Sequence, residues 1–149
     1  MIRIGAYFDE DFDAIDVANA DKIGDMIGLR RLIEPEHSRT GFHGDRPVII
    51  AGVVPIWDGV GQGWMAIDKD MPSAIGAIRA MRKGMRDIAQ NGPFHRIQAD
   101  VMASFVKGRR FLRMLEFADE GPLSAYSAEG EDYERFALVS RGLVKKWLP

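Results

Sequence analysis

The 149-residue sequence contains no cysteine, which excludes a disulfide framework, a thiol nucleophile and a cysteine-ligated metal. It has no apolar run near the roughly 20 residues that a membrane-spanning helix needs. Its first residues, MIRIGAYFDEDFD, carry neither an apolar signal core nor a basic leader. A basic excess is missing as well: 20 Lys and Arg face 22 Asp and Glu, for a formal net charge of −2. A general nucleic-acid binder draws its affinity from cations that neutralise phosphate, so that partner class is disfavoured. Walker and dinucleotide fingerprints and a Ser–His–Asp pattern are absent too, and His37, His43 and His95 show no metal-ligand spacing. These absences predict a soluble cytoplasmic protein with no membrane or nucleic-acid partner and no metal.

Apolar residues make up 46% of the chain and charged residues 28%, ordinary values for a globular protein, and a single domain over 1–149 is expected. Ile2–Phe8 reads as a first strand, followed by a helix whose opening Asp9-Glu10-Asp11 suits the positive end of the helix dipole. A second helical piece is predicted over 20–29, stopped at Glu34-Pro35-Glu36. Ser38–His43, the β-branched run Pro47–Trp57 and Trp64–Ile67 read as a three-stranded antiparallel meander. Asp58-Gly59 is the hairpin signal, with Gly61-Gln62-Gly63 extending the turn.

The strongest periodicity follows. Ala74, Ile75, Ala77, Ile78, Met81, Met85 and Ile88 form a stripe of helical period, ended by Asn91-Gly92-Pro93. His95–Val101 alternates as a half-buried strand does. The next helix carries Phe105, Gly108, Leu112 and Leu115 on one face and Lys107, Arg110 and Arg113 on a solvated one. Glu120-Gly121-Pro122 is expected to turn the chain into a strand at Leu123–Tyr126, and Gly130-Glu131-Asp132 into another over 133–140.

This order, together with His95-Arg96-Ile97-Gln98-Ala99, Gly108–Phe117, Glu120-Gly121-Pro122-Leu123, Gly130 and Asp132-Tyr133, resembles the GNAT acyltransferase superfamily. Its members often run N-x-x-A-R-R-F-L-E-x-L-G-F-x-x-E-G and then G-x-D. In length and layout the chain is also similar to small GNAT-like proteins encoded by bacteriophages, such as the internal virion protein A family of short-tailed phages. The resemblance implies an α/β fold with a mixed, mostly antiparallel central sheet, helices on both faces and splayed strands 4 and 5. It implies an N-acetyltransferase that moves an acetyl group from acetyl-CoA directly to a small-molecule or protein amine. The alternative is a non-catalytic virion or assembly protein that binds phage structural proteins, present in the host cytoplasm or packaged in the virion.

The resemblance also assigns sites. Met65, Ala66 and Ile67 map to the strand that carries the pantetheine arm, and Lys69, Asp70, Ser73 and Ala74 to the pyrophosphate loop at a helix start. Where the family has glycines, Asp68-Lys69-Asp70-Met71-Pro72-Ser73-Ala74 has none; two aspartates oppose an anion, and Pro72 removes a donor. Asp70 also reads as a helix cap. Leu112 stands where the family carries its tyrosine acid, Phe105 where it carries asparagine, and Glu116 where it carries glycine. Tyr126 and Asp100 are the remaining catalytic candidates. Tyr126, with Tyr133, is expected on the last two strands near the acceptor, and Asp100 could act as a base or cap the following helix. Trp57 and Trp64 flank the Asp58–Gly63 turn, either as pocket walls or as packing.

Overall fold

A computed structural model describes residues 1–18 and 26–140. Strand β1 (Arg3–Ala6) is followed by helix α1 (Asp9–Ala14) and helix α2 (Met26–Leu32), and a short 3-10 turn, Pro35–His37, leads into β2 (Ser38–His43). Then come β3 (Arg46–Trp57), β4 (Val60–Ile67), helix α3 (Ala74–Asn91), β5 (Arg96–Met102), helix α4 (Val106–Met114), β6 (Ala118–Leu123) and β7 (Tyr133–Val139). Among the described residues the strands form a seven-stranded sheet in the order β1-β2-β3-β4-β5-β7-β6. β1–β2, β2–β3, β5–β7 and β6–β7 are antiparallel, whereas β4–β5 is parallel. This is the mixed, mostly antiparallel α/β sheet that the sequence predicts.

The chain divides into two compact units, one of Met1–Val54 and Trp64–Gly92, the other of Pro55–Gly63 and the chain from Pro93 onward. In the first, α3 turns Ala77, Ala80, Met81, Gly84, Met85, Ile88 and Ala89 inward. The predicted stripe holds from Ala77 onward but not at its start, because Ile75 lies in the first turn and is 66% exposed. Tyr7, Phe12, Ile15 and Ile50 form a second buried cluster, and Trp64 packs edge-on against Phe12 with ring centroids 6.2 Å apart. Trp64 is therefore a packing residue, whereas Trp57 is exposed. α1 stops at Ala14, where the backbone of Ile15 turns extended. Most of the predicted 20–29 helix, and the tail from Arg141, lie outside the described residues.

In the second unit the parallel ladder runs from Val60↔Arg96 to Gln62↔Gln98. Gly61, Gln62 and Gly63 are thus strand, not an extended turn: Asp58-Gly59 alone reverses the chain, with Gly59 at φ 77°. Any side chain at Gly59 would also collide with the ring of His95. Gly108 is equally specific, since an added Cβ would stand 2.6 Å from Phe105 and 2.8 Å from Val101, so its absence lets α4 approach β5 closely. Glu120-Gly121-Pro122 lies inside β6, where the register shifts between Asp119 and Gly121. Gly121, at φ 113°, absorbs that irregularity as a kink within the strand and not as a chain reversal.

Candidate functional site

In the first unit the segment Ile67–Ser73 links β4 to α3. Asp68 sits at its centre, 4% exposed. Its Oδ1 accepts from the amide of Asp70 at 2.8 Å and from Arg46 at 3.4 Å, and its Oδ2 accepts from the amide of Asp16 at 3.0 Å. Burial pushes this carboxyl up. The two amides, with Arg46 and Lys69, outweigh that and hold it below the ordinary carboxylate range. Asp68 is therefore a built-in anion that fixes the loop.

The same loop is tied to the chain just after α1. The amide of Ala18 donates to the Ile67 carbonyl at 2.6 Å, and the amide of Lys69 donates to the Asp16 carbonyl at 2.9 Å. These two bonds form an isolated antiparallel bridge between Val17 and Asp68. The Asp68 amide instead donates to Val48 of β3 at 2.9 Å. Because the carbonyl of one residue and the amide of the next point in opposite directions, Asp16–Ala18 occupies the edge of β4 that faces away from β3. Lys69 adds a side-chain contact, its Nζ standing 2.7 Å from Asp16 Oδ2.

At the helix start, Ser73 is the cap: its backbone is extended and its Oγ accepts from the Gly76 amide at 3.0 Å. Asp70, expected as the cap, is exposed and too early in the chain; its amide goes to Asp68 and its carbonyl accepts from Arg46. Ala74 opens the helix, so its amide and that of Ile75 have no carbonyl a turn earlier to bond. Of the sequence-assigned cofactor residues, Ala66 is fully buried, Met65 and Ile67 are half-buried, and Lys69, Asp70, Ser73 and Ala74 are exposed.

Acetyl-CoA, which the resemblance implies, does not fit this conformation. The Ile67 carbonyl, at the end of the strand assigned to the pantetheine arm, and the Lys69 amide, in the segment assigned to the pyrophosphate, are engaged by Ala18 and Asp16. Lys69, the cation among the residues assigned to the pyrophosphate, is paired with Asp16.

The second unit holds the two catalytic candidates. Asp100 is paired across β5–β7 with Arg135, which donates Nε to Oδ1 at 2.8 Å and Nη2 to Oδ2 at 3.0 Å. Tyr126 donates its hydroxyl to Asp100 Oδ2 at 2.9 Å, so the structure brings the two candidates together. Burial, and then this bond, push the phenol up. Tyr126 is not on a strand: it lies in the loop after β6, half exposed, with its ring centroid 5.3 Å from that of Tyr133 at the start of β7. Nor does Asp100 cap α4, which begins after Phe105 without a side-chain cap. Leu112 is buried against the sheet, and Lys107, Arg110 and Arg113 are exposed as expected.

Sequence reasoning missed three features of these sites. Asp68 was read as a liability for phosphate, yet it is the loop's structural centre; two of its bonds come from residues 22 and 52 positions away, which no local pattern shows. Arg135 carried no signal of its own, although strand alternation places it on the face of its register partner, Asp100. Glu34, Glu36 and His37 bring potential metal-ligating atoms within 4.8 Å of one another, and this group is exposed or half-buried.

Solved structures similar to the chain are acetyltransferases. Ard1 from Thermoplasma volcanium matches with a TM-score of 0.76 at 12% identity, covering 95% of this chain and 99% of its own. The ribosomal-protein-S18-alanine N-acetyltransferase of Escherichia coli matches with a TM-score of 0.72 at 15% identity, over 96% of this chain and 97% of its own. The fold is that of the GNAT acetyltransferases. The ribosomal-protein-S5-alanine acetyltransferase of Vibrio fischeri shares it as well, with a TM-score of 0.71 at 14% identity over 99% of this chain and 96% of its own. No family model and no curated protein matches the sequence. Among the described residues no helix is long and apolar enough to cross a membrane.

Proposed function

We propose that the chain is a GNAT-type N-acetyltransferase that moves an acetyl group from acetyl-CoA to an amine. The observation that carries this reading is the extent of the fold correspondence, which runs over 95–99% of the chain against the three acetyltransferases above. Two of them are named for alanines of ribosomal proteins, so a protein N-terminal amine is the first acceptor class to test. The catalytic roles assigned to Tyr126 and Asp100 rest on their 2.9 Å hydrogen bond. In this reading the half-exposed phenol faces the acceptor, and Asp100, held by Arg135, orients it. The test is acetylation of a panel of peptide and small amines with acetyl-CoA, read by mass spectrometry. A product lost in Tyr126→Phe supports the assignment, and no product from any amine, with no binding heat at millimolar acetyl-CoA, removes the enzyme reading.

A second reading has its own support. Leu112 and Phe105 are apolar where the family carries its acid and its asparagine, and the β4 edge is already paired by Asp16–Ala18. Both suit a non-catalytic module, such as a phage virion or assembly protein in the host cytoplasm or the particle, since a fold does not fix a function. Specific co-purification with virions or a capsid subunit, without acetylation, would favour it.

A further inference from the structure

We infer that Asp16–Ala18 is a self-inhibitory strap, and that the side of β4 away from β3, at Ile67–Lys69, becomes available to acetyl-CoA only when the strap leaves it. The inference rests on the acetyltransferase reading, and it turns the misfit of the cofactor into a property of this chain. Two backbone bonds close the edge, Ala18 N–H to Ile67 C=O at 2.6 Å and Lys69 N–H to Asp16 C=O at 2.9 Å. Two further contacts hold the strap from its side: the Asp16 amide on Asp68 Oδ2 at 3.0 Å, and Lys69 Nζ beside Asp16 Oδ2 at 2.7 Å. An edge amide and an edge carbonyl can each serve one such partner at a time, so the strap competes with acetyl-CoA, with its pantetheine arm at Ile67 and its pyrophosphate at Lys69.

The anchors are unequal in a way that suits release. Asp68 is buried and keeps the Asp70 amide and Arg46 when Asp16 leaves, so it stays. Asp16 and Lys69 are exposed, and their ion pair contributes little against water. Opening the strap breaks its two backbone bonds and the part-buried bond of the Asp16 amide, and it draws Val17 off the cluster of Tyr7, Phe12, Ile15 and Ile50 against which it packs. If only the open fraction binds, the apparent dissociation constant exceeds the intrinsic one by the reciprocal of that fraction.

This relation supplies the test. Hydrogen exchange on the whole protein measures the open fraction through the Lys69 amide, independently of activity, and calorimetry with acetyl-CoA measures affinity. Ala18→Pro removes the donor to Ile67. Asp16→Lys replaces the ion pair with repulsion and leaves the backbone chemistry alone, which covers the case in which the proline variant fails to fold. Adding Lys69→Asp to Asp16→Lys restores an opposite-charge pair. The expected result is a Lys69 amide protected about 100-fold in the wild type, protection lost in Ala18→Pro and reduced a few-fold in Asp16→Lys, and acetyl-CoA affinity raised in each variant by the factor its protection falls. The charge-swapped double variant should return both quantities toward wild type. An unprotected Lys69 amide in the wild type overturns the strap. Protection lost while affinity for acetyl-CoA stays at the wild-type value overturns the inhibition but leaves the acetyltransferase reading intact. No binding by any variant at millimolar acetyl-CoA overturns both.

Discussion

Arg135 grips Asp100 with two parallel hydrogen bonds, 2.8 and 3.0 Å long, across directly paired positions of β5 and β7. The Asp100 side chain is 5% exposed and that of Arg135 28%, so the pair sits largely out of water. Removing one partner leaves the other charge stranded. Asp100→Ala should cost about 3 kcal/mol in urea unfolding. Converting both residues to apolar ones of similar volume should cost distinctly less than the sum of the two single changes.

Tyr126 hangs on the same carboxylate but is half exposed, so its loss should be felt in turnover more than in stability. Under the acetyltransferase reading, Tyr126→Phe lowers kcat about 100-fold and moves the unfolding midpoint little. Steady-state kinetics and a melt on the same preparation separate the two effects.

The acid response of Asp68 follows from its depressed folded value. A carboxyl that ionises more readily folded than unfolded adds stability that is fully present above the unfolded value, and that stability is lost as pH falls through the folded one. The stability difference between wild type and Asp68→Asn should be flat from neutral pH down to about pH 5 and shrink below about pH 4. Thermal unfolding across that range checks it. A difference that grows on acidification would contradict the hydrogen-bond assignment.

Glu116 occupies a left-handed backbone position, φ 72°, at the end of α4, where the family carries glycine. A side chain there costs about 1 kcal/mol, part of which glycine gives back through its freer unfolded chain. Glu116→Gly should stabilise the protein by up to about 1 kcal/mol in chemical denaturation. Ser73→Ala, by contrast, removes the α3 cap and should cost about 1 kcal/mol by the same measurement.

The helix stripe from Ala77 to Ile88, the alternation over β5 and the Asp58-Gly59 reversal were legible because each is written in adjacent residues. Ser73 was open to the same reading, since it stands just before the periodic run, but the acid at Asp70 drew the expectation three residues early. What could not be read locally are the pairings that cross the chain. Asp16 meets Asp68 over 52 residues, and Asp100 meets Arg135 over 35. The glycine at 121 signalled a turn because a kink inside a strand and a chain reversal ask the same backbone freedom of it.

The pairing of Asp16–Ala18 with β4 has a consequence beyond any ligand. Bare strand edges recruit other polypeptides, and natural sheets cover them to stay dispersed. Where a chain closes such an edge with its own backbone, it keeps neighbouring molecules off it too. The variants that free the Lys69 amide should then be the ones that self-associate at high concentration, and light scattering would detect it.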